Sequence, residues 1–286
     1  MDQQNEMSFW DHLEDLRWTI FRSLAALLIF MIAFFALMRG EYGIFDNFIM
    51  APTKGGFITY QLFCMAAEYF GVTSDFCNTA FEIHVFNIKL ASQFFTHMTT
   101  SFWLALVLTF PYLMYEVWKF IRPALYDNEK KSVRWVFLFG TIMFFIGCAV
   151  GYLMVFPVTL RFLATYQISE SITEQVSLES YMNNFLMLTF IMGIMFEMPL
   201  VSWLLSKLGI INRGLFHRYR RHAVVALLFT AALITPSGDP FTLAIVFIPL
   251  YLLFELSAFF VKPAPPEDDD DDEEDDEEIE KALPAV

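Results

Sequence analysis

Long runs without a charged side chain dominate the sequence, at residues 23–38, 90–115, 135–160 and 181–206, the last interrupted only by Glu197. Wound as helices at about 1.5 Å per residue, these runs can cross a hydrocarbon core of about 30 Å. Two further apolar segments follow at 223–235 and 241–261. The first is too short for a comfortable crossing and the second carries Pro249 and Glu255, so both are expected as a short hairpin in thinned lipid. Backbone amides in hydrocarbon must be bonded within their own segment, and no alternating barrel pattern competes. The pattern therefore predicts an all-α polytopic membrane protein with six transmembrane helices, the last two short.

Composition agrees, with 57% hydrophobic residues, 34 Phe among 286 residues and a mean hydropathy of +0.50. That is more apolar surface than a soluble core of this size consumes. The net charge of -14 misleads, because residues 267–281 alone hold 13 carboxylates and one Lys, leaving -2 for all the rest. After Pro263-Ala264-Pro265-Pro266, this run carries too much like charge to collapse, and a solvated, disordered acidic tail is expected over 263–286. It reads either as a solubilising tail or as an electrostatic lure for a basic segment. The first apolar run follows an acidic amphipathic stretch without a small-residue cleavage site, so it is expected to stay as an anchor.

Loop charges orient the chain. Fourteen of the 18 Lys and Arg lie in the amino terminus, the loops 116–134 and 207–222, and the tail, against Arg39, Lys54, Lys89 and Arg161 on the other side. The positive-inside rule then places both termini in the cytoplasm. The chain divides into an amphipathic amino-terminal segment (1–18), a six-span membrane domain (19–262) and the tail (263–286). The outer loop, 39–90, carries an apolar stretch at 57–70 expected as a surface-lying or cap-forming helix. Cys64 and Cys77 share that loop, either as a disulfide formed in an oxidising compartment or as two small buried side chains. With Cys148 they lack the short spacings and nearby His of a zinc site, so no metal is expected.

Three places carry candidate chemistry. In the amino-terminal segment, Asp11, Glu14 and Asp15 cluster beside a stripe of Trp10, Leu13 and Arg17. They read either as receivers of a cation or as favourable charge at a helix start. The first inner loop mixes aromatic side chains with Glu116, Asp127 and Glu129, a surface able to bind adjacent arginines followed by apolar residues, since guanidinium forks pair bidentately with carboxylates. Its aromatics read equally as an interfacial belt. Glu197 lies 10 residues before Lys207, about 15 Å along a helix. An acid at that depth must be neutral, face a wet concavity, or meet a polar partner, and Pro199 nearby favours a kink. Pro52, Pro111, Pro157, Pro236 and Pro249 border or interrupt spans and predict bent helices around a concave face. His97, inside the second span, reads as an interhelical histidine.

The run Val117-Trp118-Lys119-Phe120-Ile121-Arg122-Pro123-Ala124-Leu125-Tyr126, with Glu129 beyond it, resembles the first cytoplasmic loop of the TatC family. His12-Leu13-Glu14-Asp15-Leu16-Arg17, Val155-Phe156-Pro157, Phe196-Glu197-Met198-Pro199, Ile234-Thr235-Pro236, Ile248-Pro249-Leu250-Tyr251 and Phe254-Glu255 follow in the family's order, over roughly residues 8 to 260. The resemblance implies a cup-shaped six-helix receptor in the bacterial inner membrane. Such a receptor binds the paired arginines of signal peptides on folded cargo, recruits single-span TatA/TatB-type subunits, forms homo-oligomers in the complex and is driven by the proton-motive force. It assigns the peptide site to Glu14, Asp15, Leu16, Arg17, Phe120, Tyr126 and Glu129, with Asp15 standing where the family has Glu. It assigns partner-helix or intramembrane polar roles to Glu197, Thr235, Pro236 and Thr242, Leu243 standing where the family has a polar residue. No cofactor, metal or nucleic acid is implied.

Two other classes compete. A proton-coupled transporter of a small solute would use Glu197 with His97, yet neither inverted repeats nor matched broken helices are evident. An enzyme would need a nucleophile-base pair, phosphate loop or metal-ligand helix, and the sequence offers none.

Overall fold

The structure is a computed structural model describing residues 9–38, 43–71, 77, 82–121, 127–166, 169, 175–207, 209–235 and 238–261. Within its helices, side chains at 9, 11, 12, 121 and 127–135 lie outside the described set. Tyr126, Pro236 and the acidic tail also fall outside it.

Five helical stretches among the described residues are long and apolar enough to cross a membrane. The first is α1 (Phe9–Leu37), charge-free from Ser23 onward and packed antiparallel on α3 (Ser92–Ile121), with none of its most apolar window buried by protein. Lipid must cover what protein does not. Pro111 sits inside α3 without ending it.

Prolines do reshape the next two spans. Span three is α4 (Asp127–Val150), a wide π turn over Gly151–Val155, and α5 (Phe156–Thr165). Pro157 has no N–H for the Leu153 carbonyl, which instead accepts from the Thr59 hydroxyl. Span four is α6 (Leu178–Met195) and α7 (Met198–Lys207), broken at Phe196-Glu197 where Pro199 cannot serve Met195. The two spans touch through small residues. A Cβ on Gly147 would stand 2.6 Å from the Met192 carbonyl oxygen, and one on Gly151 would stand 2.8 Å from Thr189 Cα. This is the small-xxx-small contact that lets helix backbones close on each other.

After α8 (Arg213–Arg218), a hairpin of α9 (Arg220–Ile234) and α10 (Pro240–Phe260) completes the bundle. Its 15-residue first arm covers about 22 Å and stays short of a full crossing. The second arm differs from the sequence expectation: 21 unbroken residues give about 32 Å, a full crossing. Pro249 and Leu250 are buried, so packing holds the helix through its missing hydrogen bond. Arg220 pairs with Glu255 at 2.5 Å and donates to the Tyr251 hydroxyl at 3.2 Å, fastening the inner ends, those that the loop charges assign to the inside.

The outer loops form a cap. Helix α2 (Ile58–Tyr69) lies over the π turn of span three, and strands β1 (Val85–Phe86) and β2 (Val176–Ser177) pair in parallel. The Tyr60 hydroxyl donates to the carbonyls of Pro52 (2.9 Å) and Pro157 (3.1 Å), and Tyr181 to Ile49 (2.6 Å). Burial pushes the Tyr60 phenol well above its usual range, against the pull of the Arg161 guanidinium 4.8 Å from its ring. It stays a donor at every working pH. Cys64 and Cys77 are joined as a disulfide, Cα atoms 4.9 Å apart.

Candidate functional site

At the inner end, in the first turns of α1, Leu13, Glu14, Asp15, Leu16 and Arg17 are all exposed. The Arg17 guanidinium lies 5.7 Å from the Trp18 ring, so its charge is held along the helix while the acids face outward. The register of this helix is fixed one to two turns further in. Arg22 reaches Glu116 at 3.0 Å, and the Tyr112 hydroxyl donates to the other carboxylate oxygen at 2.8 Å.

This internal pairing corrects one expectation. Glu116, counted from sequence among the acids of a peptide-binding inner-loop surface, is 3% exposed and committed to Arg22. A carboxylate needs a cation once it leaves water, and α1 supplies one. An Arg and a Glu at the inner ends of consecutive antiparallel spans were the available sequence signal.

Depths follow from these contacts. Asp15 lies seven residues inward of Arg22, about 10 Å beyond the Glu116 level. Trp118, two residues past Glu116, packs on Phe137 at 5.5 Å, with Met114 and Trp203 around them. Glu129 precedes Phe137 by eight residues on α4, so its backbone stands about 15 Å beyond the same level. Asp15 and Glu129 therefore occupy similar depths at one end of the bundle. Phe120, half-buried, is the penultimate residue of α3 between them in sequence.

The intramembrane polar residues do not form one group. Glu197 is 8% exposed at the break in span four, with neither carboxylate oxygen hydrogen-bonded among the described residues. Gly140 on α4 makes its berth: a Cβ there would lie 2.9 Å from Glu197 Oε2. That partner glycine was missed from sequence, where nothing links positions 140 and 197. Thr235 and Thr242 are buried with unpartnered hydroxyls among the described residues, flanking the α9–α10 turn at the outer end, where Phe241 stacks on Phe162 at 4.0 Å. Leu243 is partly buried against the main core.

His97 stacks on Phe35 of α1 at 4.1 Å. Helices α3 and α6 run in parallel with Trp103 on Phe190 at 4.7 Å, which puts His97 about 20 Å from Glu197 along the bundle axis. The paired site of a proton-coupled solute transporter is not assembled.

A multi-span helical membrane protein, capped on one face, with a broken fourth span around a buried acid and exposed acids at the end opposite the cap, is the class these features define. The family model described as Sec-independent protein translocase protein (TatC) matches residues 11–249. A relative of that name from Blattabacterium sp. subsp. Periplaneta americana is 34% identical over 259 residues, covering 90% of this chain and 96% of the relative. Another from Deinococcus radiodurans is 29% identical, covering 87% and 83%. Among solved structures, a twin arginine translocase receptor TatC in DDM aligns with a TM-score of 0.66 at 26% identity, covering 88% of this chain and 99% of that one. The chain belongs to the TatC family, a component of the Sec-independent protein translocase.

Proposed function

We propose that this chain is the signal-peptide receptor of a twin-arginine translocase, and that acids at its inner boundary capture two consecutive arginines on the leader of a folded cargo protein. The observation that carries the reading is the exposure of Glu14 and Asp15 at nearly the depth of Glu129 on α4. Two guanidinium forks need two carboxylates, presented from separate elements. Phe120 and Tyr126 flank the arginines, and Leu16 with Arg17 sets the edge of the site. Asp15 reaches one methylene less than the family's Glu, and Glu14 beside it makes up the distance.

Both termini lie in the cytoplasm of a bacterium and the chain resides in its inner membrane. The excess of Lys and Arg on the inner loops supports this orientation, as does a disulfide in the loop assigned to the oxidising side. Single-span TatA/TatB-type subunits engage the bundle through Glu197 and through Thr235, Pro236 and Thr242. An uncompensated acid in hydrocarbon gains from a polar group on an arriving helix. Copies of the receptor assemble in the complex, and the proton-motive force drives transport.

Crosslinking of an Arg-Arg leader peptide to the purified protein, compared with its Lys-Lys version, tests the reading. Equal labelling of the two peptides sinks it. Glu129→Ala is expected to weaken Arg-Arg capture at least about tenfold, the worth of a charge-assisted pair. Glu197→Ala is expected to leave capture intact and impair partner assembly and transport.

A further inference from the structure

The outer ends of α3 and α6 border a half-open recess, in which polar side chains stand among apolar surface, that none of the roles above uses. Two adjoining cavities of about 470 and 320 Å³ share Lys89, Ser92, Glu179 and Asn183 in their walls. Thr96 extends the wall on α3, and Asn184 on α6 carries a buried Oδ1 with no partner among the described residues. Further along the two helices Trp103 meets Phe190, and Phe190 meets Phe144 at 6.1 Å.

The chemistry of the walls selects the class of ligand. A phosphate or carboxylate would call for a free cation, and Lys89 is engaged by Glu179 at 2.7 Å. What remains is neutral hydrogen-bonding capacity at the edge of the bilayer. Extended polypeptide matches it, because each of its residues carries an N–H and a C=O that hydrocarbon leaves unsatisfied.

Length selects the segment. Helix α3 links the two places, running from Thr96 in the recess to Phe120 at the inner site, 24 residues or about 36 Å. The apolar run of an export leader, of order 7–15 residues, covers at most about 22 Å as a helix. At least about 14 Å remains, which takes about four or more extended residues at roughly 3.3 Å each. In a leader, small residues ahead of the cleavage point occupy that position.

We infer that the recess receives, in extended form, the small-residue segment that follows the apolar run of a leader peptide, with Ser92, Thr96, Asn183 and Asn184 bonding its backbone. The inference rests on the receptor reading above and adds a second, outer contact for the same ligand.

The test uses membrane vesicles holding the full chain with Asn183→Cys, and leader peptides with one cysteine either mid-run or four residues beyond the run. A short bismaleimide joins the thiols, Cys148 being buried and Cys64 bonded to Cys77. Val117→Cys, exposed near the inner end, reports capture through the paired arginines. Asn183→Cys is expected to capture the distal cysteine at least about tenfold better than the mid-run one, and to lose it with a Lys-Lys leader. Arg-dependent capture at Val117 with none at Asn183, or with equal capture of both peptide positions there, overturns the recess and leaves the receptor standing. Failure of Arg-dependent capture at both positions removes the receptor reading itself. Adding Thr96→Val and Asn184→Leu is expected to cut distal capture about tenfold with inner capture unchanged; undiminished distal capture refutes the hydrogen-bonding assignment.

Discussion

At the outer end of the bundle, hydroxyls of Tyr60, Tyr152 and Tyr181 donate to main-chain carbonyls of neighbouring segments, and a disulfide closes the cap. At the inner end the helices are tied by charged pairs, Arg22 to Glu116 and Arg220 to Glu255, with acids of α1 left in the open. The difference follows from what each end must satisfy. Outer segments carry irregular turns whose carbonyls need donors from elsewhere, whereas inner helix ends meet water and can leave carboxylates exposed for a ligand. The outer ties are neutral hydroxyl-to-carbonyl bonds and a covalent bridge, and the inner ties are ion pairs.

The strongest way to break this contrast lies between the two ends, at the helix contact both depend on. Gly147→Val drives a side chain into the Met192 carbonyl and is expected to lower stability by about 3 kcal/mol, seen as a fall in thermal midpoint in detergent. Gly56→Ala, facing open space, should leave that midpoint unmoved. Next comes the outer staple. Cys64→Ser opens a loop whose ends are 13 residues apart, and the chain-entropy estimate is about 2–3 kcal/mol. Proteolysis should then speed up in the cap, while Arg-Arg capture at the inner end is retained.

A smaller effect is expected at the inner tie. Glu116→Ala strands Arg22, but that guanidinium is 40% exposed and partly screened, so the loss is set at about 1–2 kcal/mol. A double-mutant cycle with Arg22→Leu should recover most of it; additive losses would deny the pair. The smallest change is Tyr181→Phe, which removes one buried hydroxyl bond to Ile49 at about 1 kcal/mol. If denaturation midpoints show Tyr181→Phe costing more than Glu116→Ala, the ends differ by more than the nature of their ties.

Much of the architecture is legible in the sequence. The charge-free runs found the four long spans, and Pro157 and Pro199 marked where spans three and four deform, because a missing N–H acts locally. Pro111 and Pro249 looked the same in sequence and left their helices unbroken, since packing around them decides whether the lost bond matters. The exposed acids of α1 were legible from their helical spacing. Glu116 was not, because its burial depends on Arg22, 94 positions away.

The sequence alone determined that the chain enters the membrane, where its four long spans lie, and which family it joins, since hydrophobic length and short motifs are properties of consecutive residues. Tertiary structure decided which acids are available, what faces Glu197, and that a half-open recess lies at the outer ends of α3 and α6. Those depend on which helix lies beside which, and adjacency between distant segments is set by shape and by the need to satisfy polar groups away from water.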